Sequence, residues 1–505
     1  MVRTSLYFAA LAFIALLLSD ISITTLTPWQ ELGRMARGML TPDFHFNTEL
    51  FRAFFNTISF ALIGISLAVA GGAILALFFE FTAVRLFCAF IRAIHELFWA
   101  FLLMPLLGLN AICGIMAIAI PYAGIFAKVY AEIAQESDKQ PADSLPPSVS
   151  RLSSFLFTTL PIIYGDLKNY TSYRFECALR SSAILGFIGL PTLGYHLETA
   201  FSEGMFSEAA ALLYCFFLLI ISLKYWARAR FIALPLIIAL IFTTWESSLS
   251  FANLSRFLTY DILPWPMREA AFYDGSQAVQ FSLWPALLWA KEIIVTQALP
   301  GIWFTFLLTQ IALAGTGMFA LASFPMASSH ISGRFGRTTA HLALVILRTT
   351  PEYILAYTFL QLWGPSMLPA ICALVLHNGA ILAYLSARDI DTIKLPFDTS
   401  TGRLNRYFYE ILPRMYGQFL AFLFYRWEVI MRESAILGIL GLHTLGFYID
   451  SAMSVDHLDT ALLLIVVTAL ANMAIDSCSQ LIRRRLRIST KFTTSPGTAT
   501  AASRA

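Results

Sequence analysis

The sequence predicts an all-α, polytopic membrane protein of about twelve transmembrane helices, arranged as two parallel six-span repeats. Three observations carry that expectation: uncharged apolar runs of bilayer length, one stretch that occurs twice, and a basic charge bias that alternates between loops. The 505 residues are 58% hydrophobic and 13% charged, whereas a soluble domain carries about 25% charged residues. Mean hydropathy is +0.70. A composition of this kind is that of a chain whose solvent is lipid.

Crossing the hydrocarbon layer takes about 20 apolar residues. Residues 54–79 and 299–324 are each free of charge, and they anchor the assignment. In the first half the predicted spans are 5–26, 54–79, 86–108, 110–133, 157–190 and 206–226. In the second they are 230–246, 299–324, 340–363, 366–387, 415–444 and 458–481. The N-terminal run follows Arg3 and lacks a clear small-residue cleavage site, so it reads as an uncleaved first span. Residues 1–229 and 230–487 form the two repeats, with an aromatic-rich insertion at 246–298 and a disordered Ser/Thr/Ala tail at 488–505. The insertion is expected outside, as an interfacial aromatic segment or a contact for an external partner.

The repeat is read directly. Residues 180–200 (RSSAILGFIGLPTLGYHLETA) and 432–452 (RESAILGILGLHTLGFYIDSA) lie 252 positions apart and agree at 12 of 21 positions. At the same spacing, Leu160-Pro161 meets Leu412-Pro413. One unit has been duplicated within one polypeptide. Each copy sets two arginines around a glutamate: Arg174, Glu176 and Arg180, then Arg426, Glu428 and Arg432. Glutamate and second arginine stand one helical turn apart, which predicts an ion pair on one helix face. The surplus positive charge also suits an oxyanion, because guanidinium groups bind such oxygens bidentately. Glu433 partly cancels that surplus in the second copy. Gly186, Gly189 and Gly194, mirrored by Gly438, Gly441 and Gly446, point to a helix broken beside a polar path. Arg92 and Glu96, mirrored by Arg348 and Glu352, predict a further pair within a span, either structural or lining that path.

The second copy, YRWEVIMRESAILGILGLHTLGF, resembles the signature stretch of phosphonate-type ABC transporter permeases. The first copy resembles it less closely, and the resemblance covers most of both halves. Such permeases normally carry one unit per chain and work in pairs, so here the pair looks fused. The resemblance implies an importer of a phosphonate-, phosphate- or phosphite-like oxyanion. It also implies two separate ATP-binding cassette subunits inside and a periplasmic solute-binding protein outside. It includes an Arg-x-x-Pro-Glu element, met at 348–352, whereas the first copy has His95 where Pro is expected. It further implies cytoplasmic coupling loops ahead of each Leu-Pro, around Ser148, Arg151 and Pro161, and around Ser400, Arg403 and Pro413. Serines stand there where the family pattern has glycine.

Orientation follows from Lys and Arg. Arg483, Arg484, Arg485 and Arg487, with Lys224, Arg228 and Arg230, predict cytoplasmic loops and both termini on the cytoplasmic side of the bacterial inner membrane, while Arg34, Arg37 and Arg52 run against the trend. A net charge of +3 gives no reason to expect a nucleic-acid partner. No GxxxxGK[ST] loop occurs, so ATP hydrolysis is assigned to other subunits. Six scattered cysteines and eight histidines show no ligand spacing, so neither metal nor cofactor is expected. A secondary transporter with two six-span halves, driven by an ion gradient and with Glu96, Glu176, Glu352 and Glu428 available to relay protons, also fits the residue pattern. A membrane-embedded enzyme has only scattered His and acidic residues behind it.

Overall fold

The computed structural model describes residues 2–44, 47–138, 140–146, 148–227, 232–245, 250–268, 283–391 and 402–486. Among these residues the secondary structure is helix alone. Among the described residues, six helices are long and apolar enough to cross a membrane: Thr48–Leu77, Ala111–Glu136, Phe206–Leu223, Leu283–Ala327, Met367–Ile390 and Leu458–Arg485. Three bent helix pairs raise the count to 9. Reaching twelve requires also the short apolar helices Val2–Leu18 and Ala233–Phe242, and the interrupted pair Arg334–Thr349 and Glu352–Trp363.

Two expected spans are therefore not straight. Residues 86–108 become Thr82–Ala93 and Glu96–Leu107, bent by 90°. Residues 340–363 break at Thr350-Pro351, where the proline ring cannot continue the preceding helix. In the first half the break comes at Ile94-His95 without a proline; both residues are extended, and the His95 ring accepts from the Leu97 amide. Each short second helix ends at a left-handed glycine, Gly108 (φ 81°) or Gly364 (φ 83°). Asn110 and Ser366 then cap the next helix with their side chains.

The expected insertion at 246–298 is shorter than the sequence indicated. Its end, from Leu283, is the start of the 45-residue helix Leu283–Ala327. Lys291, Glu292 and Gln297 had interrupted the hydropathy signal there without interrupting the helix. Its beginning has a counterpart in the first half. The Trp265 amide and the Arg268 guanidinium both reach Asp459, at the head of Leu458–Arg485. The Asp43 amide likewise reaches the Ser207 carbonyl, at the head of Phe206–Trp226. Residues 269–282 and the tail lie outside the described residues.

Three helices widen to π geometry immediately ahead of a Leu-Pro: Phe155–Thr159, Ile294–Ala298 and Arg406–Ile411. Proline brings no N–H and its ring collides with the carbonyl four residues back; the wider turn lets Pro161, Pro300 and Pro413 sit inside continuous helices.

The halves are not spatially separate. Val2–Leu18 packs on Leu299–Ala327 of the second half, with Phe8 edge-on to Phe424 and Trp427 and the Tyr416 hydroxyl bonded to Ser5. Ala233–Phe242 packs in return on Thr48–Leu77 of the first half. The hydrophobic core around Phe60, Phe98 and Phe126 accordingly includes Ile436, Ile449 and Leu464. Apolar side chains such as Leu67, Ile74, Leu218 and Met318 stay exposed on the spans, as a lipid-facing surface requires.

Candidate functional site at the seam between the halves

The duplicated glycines build one turn twice. After Phe155–Ile188 the chain bends by 53° into Leu193–Ser202, and after Arg403–Leu440 by 45° into Leu445–Ser454. Gly189 and Gly441 hold φ of 90° and 85°. A Cβ on Gly194 would collide with the Ala183 carbonyl, and one on Gly446 with the Ala435 carbonyl; Gly186 and Gly438 press equally on the following helix. The Thr57 hydroxyl accepts from the Leu193 amide at 2.8 Å and the Thr305 hydroxyl from the Leu445 amide at 3.1 Å. The glycines are therefore a steric device that folds each broken helix back on itself.

That fold-back aims the helices preceding each turn at the opposite half. Arg180 donates from Nη1 to the Arg348 carbonyl at 3.1 Å, and Arg432 donates from Nη1 to the Arg92 carbonyl at 3.2 Å. Each accepting carbonyl lies in the last turn of a helix, Arg334–Thr349 or Thr82–Ala93, where backbone acceptors have no partner in the helix. Asn472 serves the Ala93 carbonyl in the same way at 2.7 Å. Each half thus caps the helix ends of the other.

The expected one-turn ion pairs do not form. Arg92 binds Glu428 at 2.6 Å and also Asp476, both in the other half. The break at Ile94-His95 removes Glu96 from its helix face, and Glu96 is held by Ser181 with His95 beside it at 3.4 Å. Arg180 turns away from Glu176 toward the seam, and no ion pair among the described residues joins the two. Arg174 donates to the Tyr170 hydroxyl at 2.7 Å and lies against the Tyr170 and Tyr173 rings. Arg348 stacks over Tyr384 with its carbon 4.2 Å from the ring centroid.

The chemistry is densest in the second half. Glu352, His377 and Glu433 bring ligand atoms within 4.8 Å of one another. This is the type of group the absence of His/Cys spacing had argued against; its members are distant in sequence. The His377 Nδ1–H donates to the Thr350 carbonyl at 2.9 Å, leaving Nε2 as an acceptor toward Arg180 Nη1 at 3.3 Å. Glu352 lies 3.7 Å from that same nitrogen. Asn378 donates to Glu433 at 2.7 Å and accepts from Arg426 at 3.5 Å. With Arg180 next to the imidazole, these residues form a charge-balanced network, and the guanidinium competes with a metal for Nε2.

Sequence reasoning missed Ser181, Asn378, Asn472 and Asp476, gave His377 no role in the site, and gave Glu433 only a part in the charge balance. The available signals were His377-Asn378 inside an apolar run and Asn472 with Asp476 at (i, i+4) inside a span. Of the expected coupling residues, Ser148, Pro161, Arg403 and Pro413 are exposed, Arg151 opens the helix Arg151–Ser154, and Ser400 lies outside the described residues.

The phosphate-import permease protein PhnE of Mycolicibacterium smegmatis is 24% identical over 431 residues, 80% of this chain and 77% of that protein. This chain is a relative of ABC transport permeases. The phosphite transport system permease protein PtxC of Stutzerimonas stutzeri is 22% identical over 200 residues, 38% of this chain and 73% of its own length. The putative phosphite transport system permease protein HtxE of the same organism is 26% identical over 143 residues, 28% of this chain and 55% of its own. No family model matches the chain. No solved structure matches it either. The first alignment runs through both repeats, whereas PtxC is the size of one.

Proposed function

We propose that this chain is the membrane permease of an ABC importer for a phosphonate-, phosphate- or phosphite-like oxyanion, with both permease units fused in one polypeptide. The observation that carries this reading is the single 431-residue alignment to a phosphate-import permease across both repeats. The reciprocal arginine caps support it, since they tie the two units as a pseudo-dimer. Arg92, Glu96, Arg174, Glu176, Arg180, Arg348, Glu352, Arg426, Glu428 and Arg432 then border the path between the halves. Two ATP-binding cassette subunits dock on the loops around Ser148, Arg151 and Pro161 and around Ser400, Arg403 and Pro413. A periplasmic solute-binding protein delivers cargo from the other side of the inner membrane, and both termini are cytoplasmic.

The test is purification of the chain with its co-eluting subunits, followed by native mass measurement and uptake of labelled phosphate, phosphite and methylphosphonate. The expected complex holds one copy of this chain with two ATPase subunits, and uptake stops without ATP hydrolysis. Uptake by the chain alone, driven by a proton gradient, would instead establish the secondary-transporter reading.

A further inference from the structure

The seam contains two buried groups of opposite kind. Arg180 Nε is buried and has no acceptor, while its Nη1 holds His377 Nε2 at 3.3 Å. Glu352 is only 5% exposed and lies 3.7 Å from that same nitrogen. Because His377 gives its one N–H to Thr350, the nitrogen facing Glu352 carries a lone pair and donates nothing to the carboxylate. Glu433 accepts from Asn378 at 2.7 Å. A buried donor lacking an acceptor therefore stands beside a pair of carboxylates of which Asn378 serves one.

Taking the importer reading as its basis, we propose that Glu352 and Glu433 select the protonated form of the oxyanion: the ligand must present a charged oxygen to Arg180 and an O–H to the carboxylates. A buried carboxylate repels a fully deprotonated anion but accepts a hydrogen bond from P–O–H, so the pair discriminates by penalising the wrong ligand. Arg180 Nη1 and Glu352 approach the same imidazole nitrogen, at 3.3 Å and 3.7 Å, so a tetrahedral anion that displaces the imidazole meets both groups. The first half also sets a histidine beside a glutamate, His95 and Glu96 at 3.4 Å, but it lacks the second carboxylate, because Ser181 stands where the second half has Glu433.

Three probes separate the cases, because phosphate keeps an O–H proton at alkaline pH, phosphite loses its last one near neutrality, and sulfate has none at either pH. The experiment is thermal unfolding of the purified full chain with each anion at pH 6 and pH 9. Phosphate is expected to stabilise at both values, phosphite at pH 6 alone, and sulfate at neither. In Glu352→Gln and Glu433→Gln, whose amides donate, sulfate should stabilise as well as phosphate does. Equal stabilisation of the unsubstituted chain by sulfate, or no stabilisation by any of the three, overturns the proposal. So does stabilisation by Zn²⁺ alone that His377→Ala abolishes, which would make the cluster a cation site. These outcomes are independent of subunit count and ATP-driven uptake, so the importer reading stands or falls separately.

Discussion

At matched positions the two halves share their backbone devices and differ in their buried polar side chains. The Gly turn, the Thr hydroxyl at the next helix start, the left-handed Gly108 and Gly364, and the arginine reaching for a helix end all occur twice. By contrast, Glu96 in the first half meets His95 and Ser181, which in turn bonds Tyr122, whereas Glu352 in the second meets His377 with Asn378 and Glu433 nearby. Below the seam the difference recurs: Arg92 is bound by two carboxylates, and its counterpart Arg348 by an aromatic face. A duplicated fold keeps whatever fixes backbone geometry, because both copies need it to close on each other. Side chains lining the seam are free to diverge, and chemistry can concentrate in one half.

The shared devices predict equal and large effects. Gly194→Ala and Gly446→Ala each place a Cβ on a backbone carbonyl that cannot swing aside. Either change should cost more than about 4 kcal/mol and leave little folded protein in the membrane. Gly165→Ala, where the space is open, and Gly336→Ala, where a Cβ meets only Ser332 Cβ at 3.9 Å, serve as controls. Survival of one variant and loss of the other, measured by membrane protein level, would mean that the turns are not equivalent.

The unshared contacts predict an unequal pair of smaller effects. Arg92→Gln strands Glu428 and Asp476 in a buried setting, a loss of about 3–5 kcal/mol. Arg348→Gln removes a cation–π contact worth about 0.5–2 kcal/mol. Thermal unfolding of the two variants should therefore separate clearly. Equal shifts would show that the charge asymmetry has no energetic weight.

Much of the fold was legible because it rests on signals that survive in one dimension. Hydropathy located the long spans, and the fixed 252-residue register located the duplicated turn. Partners across the seam left no such trace. Periodicity reports neighbours within about one helical turn, and it therefore paired Arg180 with Glu176 and Arg92 with Glu96. The partners across the seam are 168 and 197 residues from Arg180 and 336 and 384 residues from Arg92. The break at Ile94-His95 was hidden too, since no proline or glycine marks it. Nor did hydropathy show that Val2–Leu18 and Ala233–Phe242 exchange halves, because an apolar helix reads the same whichever core it joins.

The arginine caps sharpen the comparison further. Arg180→Gln and Arg432→Gln each remove a charged hydrogen bond to a helix end, about 1.5–3 kcal/mol. The stability losses should match between halves, but the uptake losses should not, because Arg180 alone stands in the His377 network. Uptake should fall at least about tenfold in Arg180→Gln, and by less in Arg432→Gln. Adding Glu176→Gln to Arg180→Gln should rescue nothing, since those two side chains are not paired. Restored transport in the double variant would argue against the cross-half cap and for a local ion pair.

The smallest predicted effect is the most direct test of symmetry. Thr57 accepts from the Leu193 amide while donating to the Ala53 carbonyl at 2.8 Å. Thr305 accepts from the Leu445 amide while donating to the Gly301 carbonyl at 2.6 Å. Both hydroxyls are buried, both satisfy the first amide of a ten-residue helix, and neither touches the charged network. Thr→Val keeps the shape and removes the acceptor, stranding one amide at about 1 kcal/mol. The two substitutions should lower thermal stability by the same amount, and the double variant by the sum, because the sites share no partner. Oxyanion uptake per folded molecule should stay unchanged in all three. A clear difference between Thr57→Val and Thr305→Val would mean that the duplicated turns, despite matching glycines and matching hydrogen bonds, have already diverged in the strain they hold.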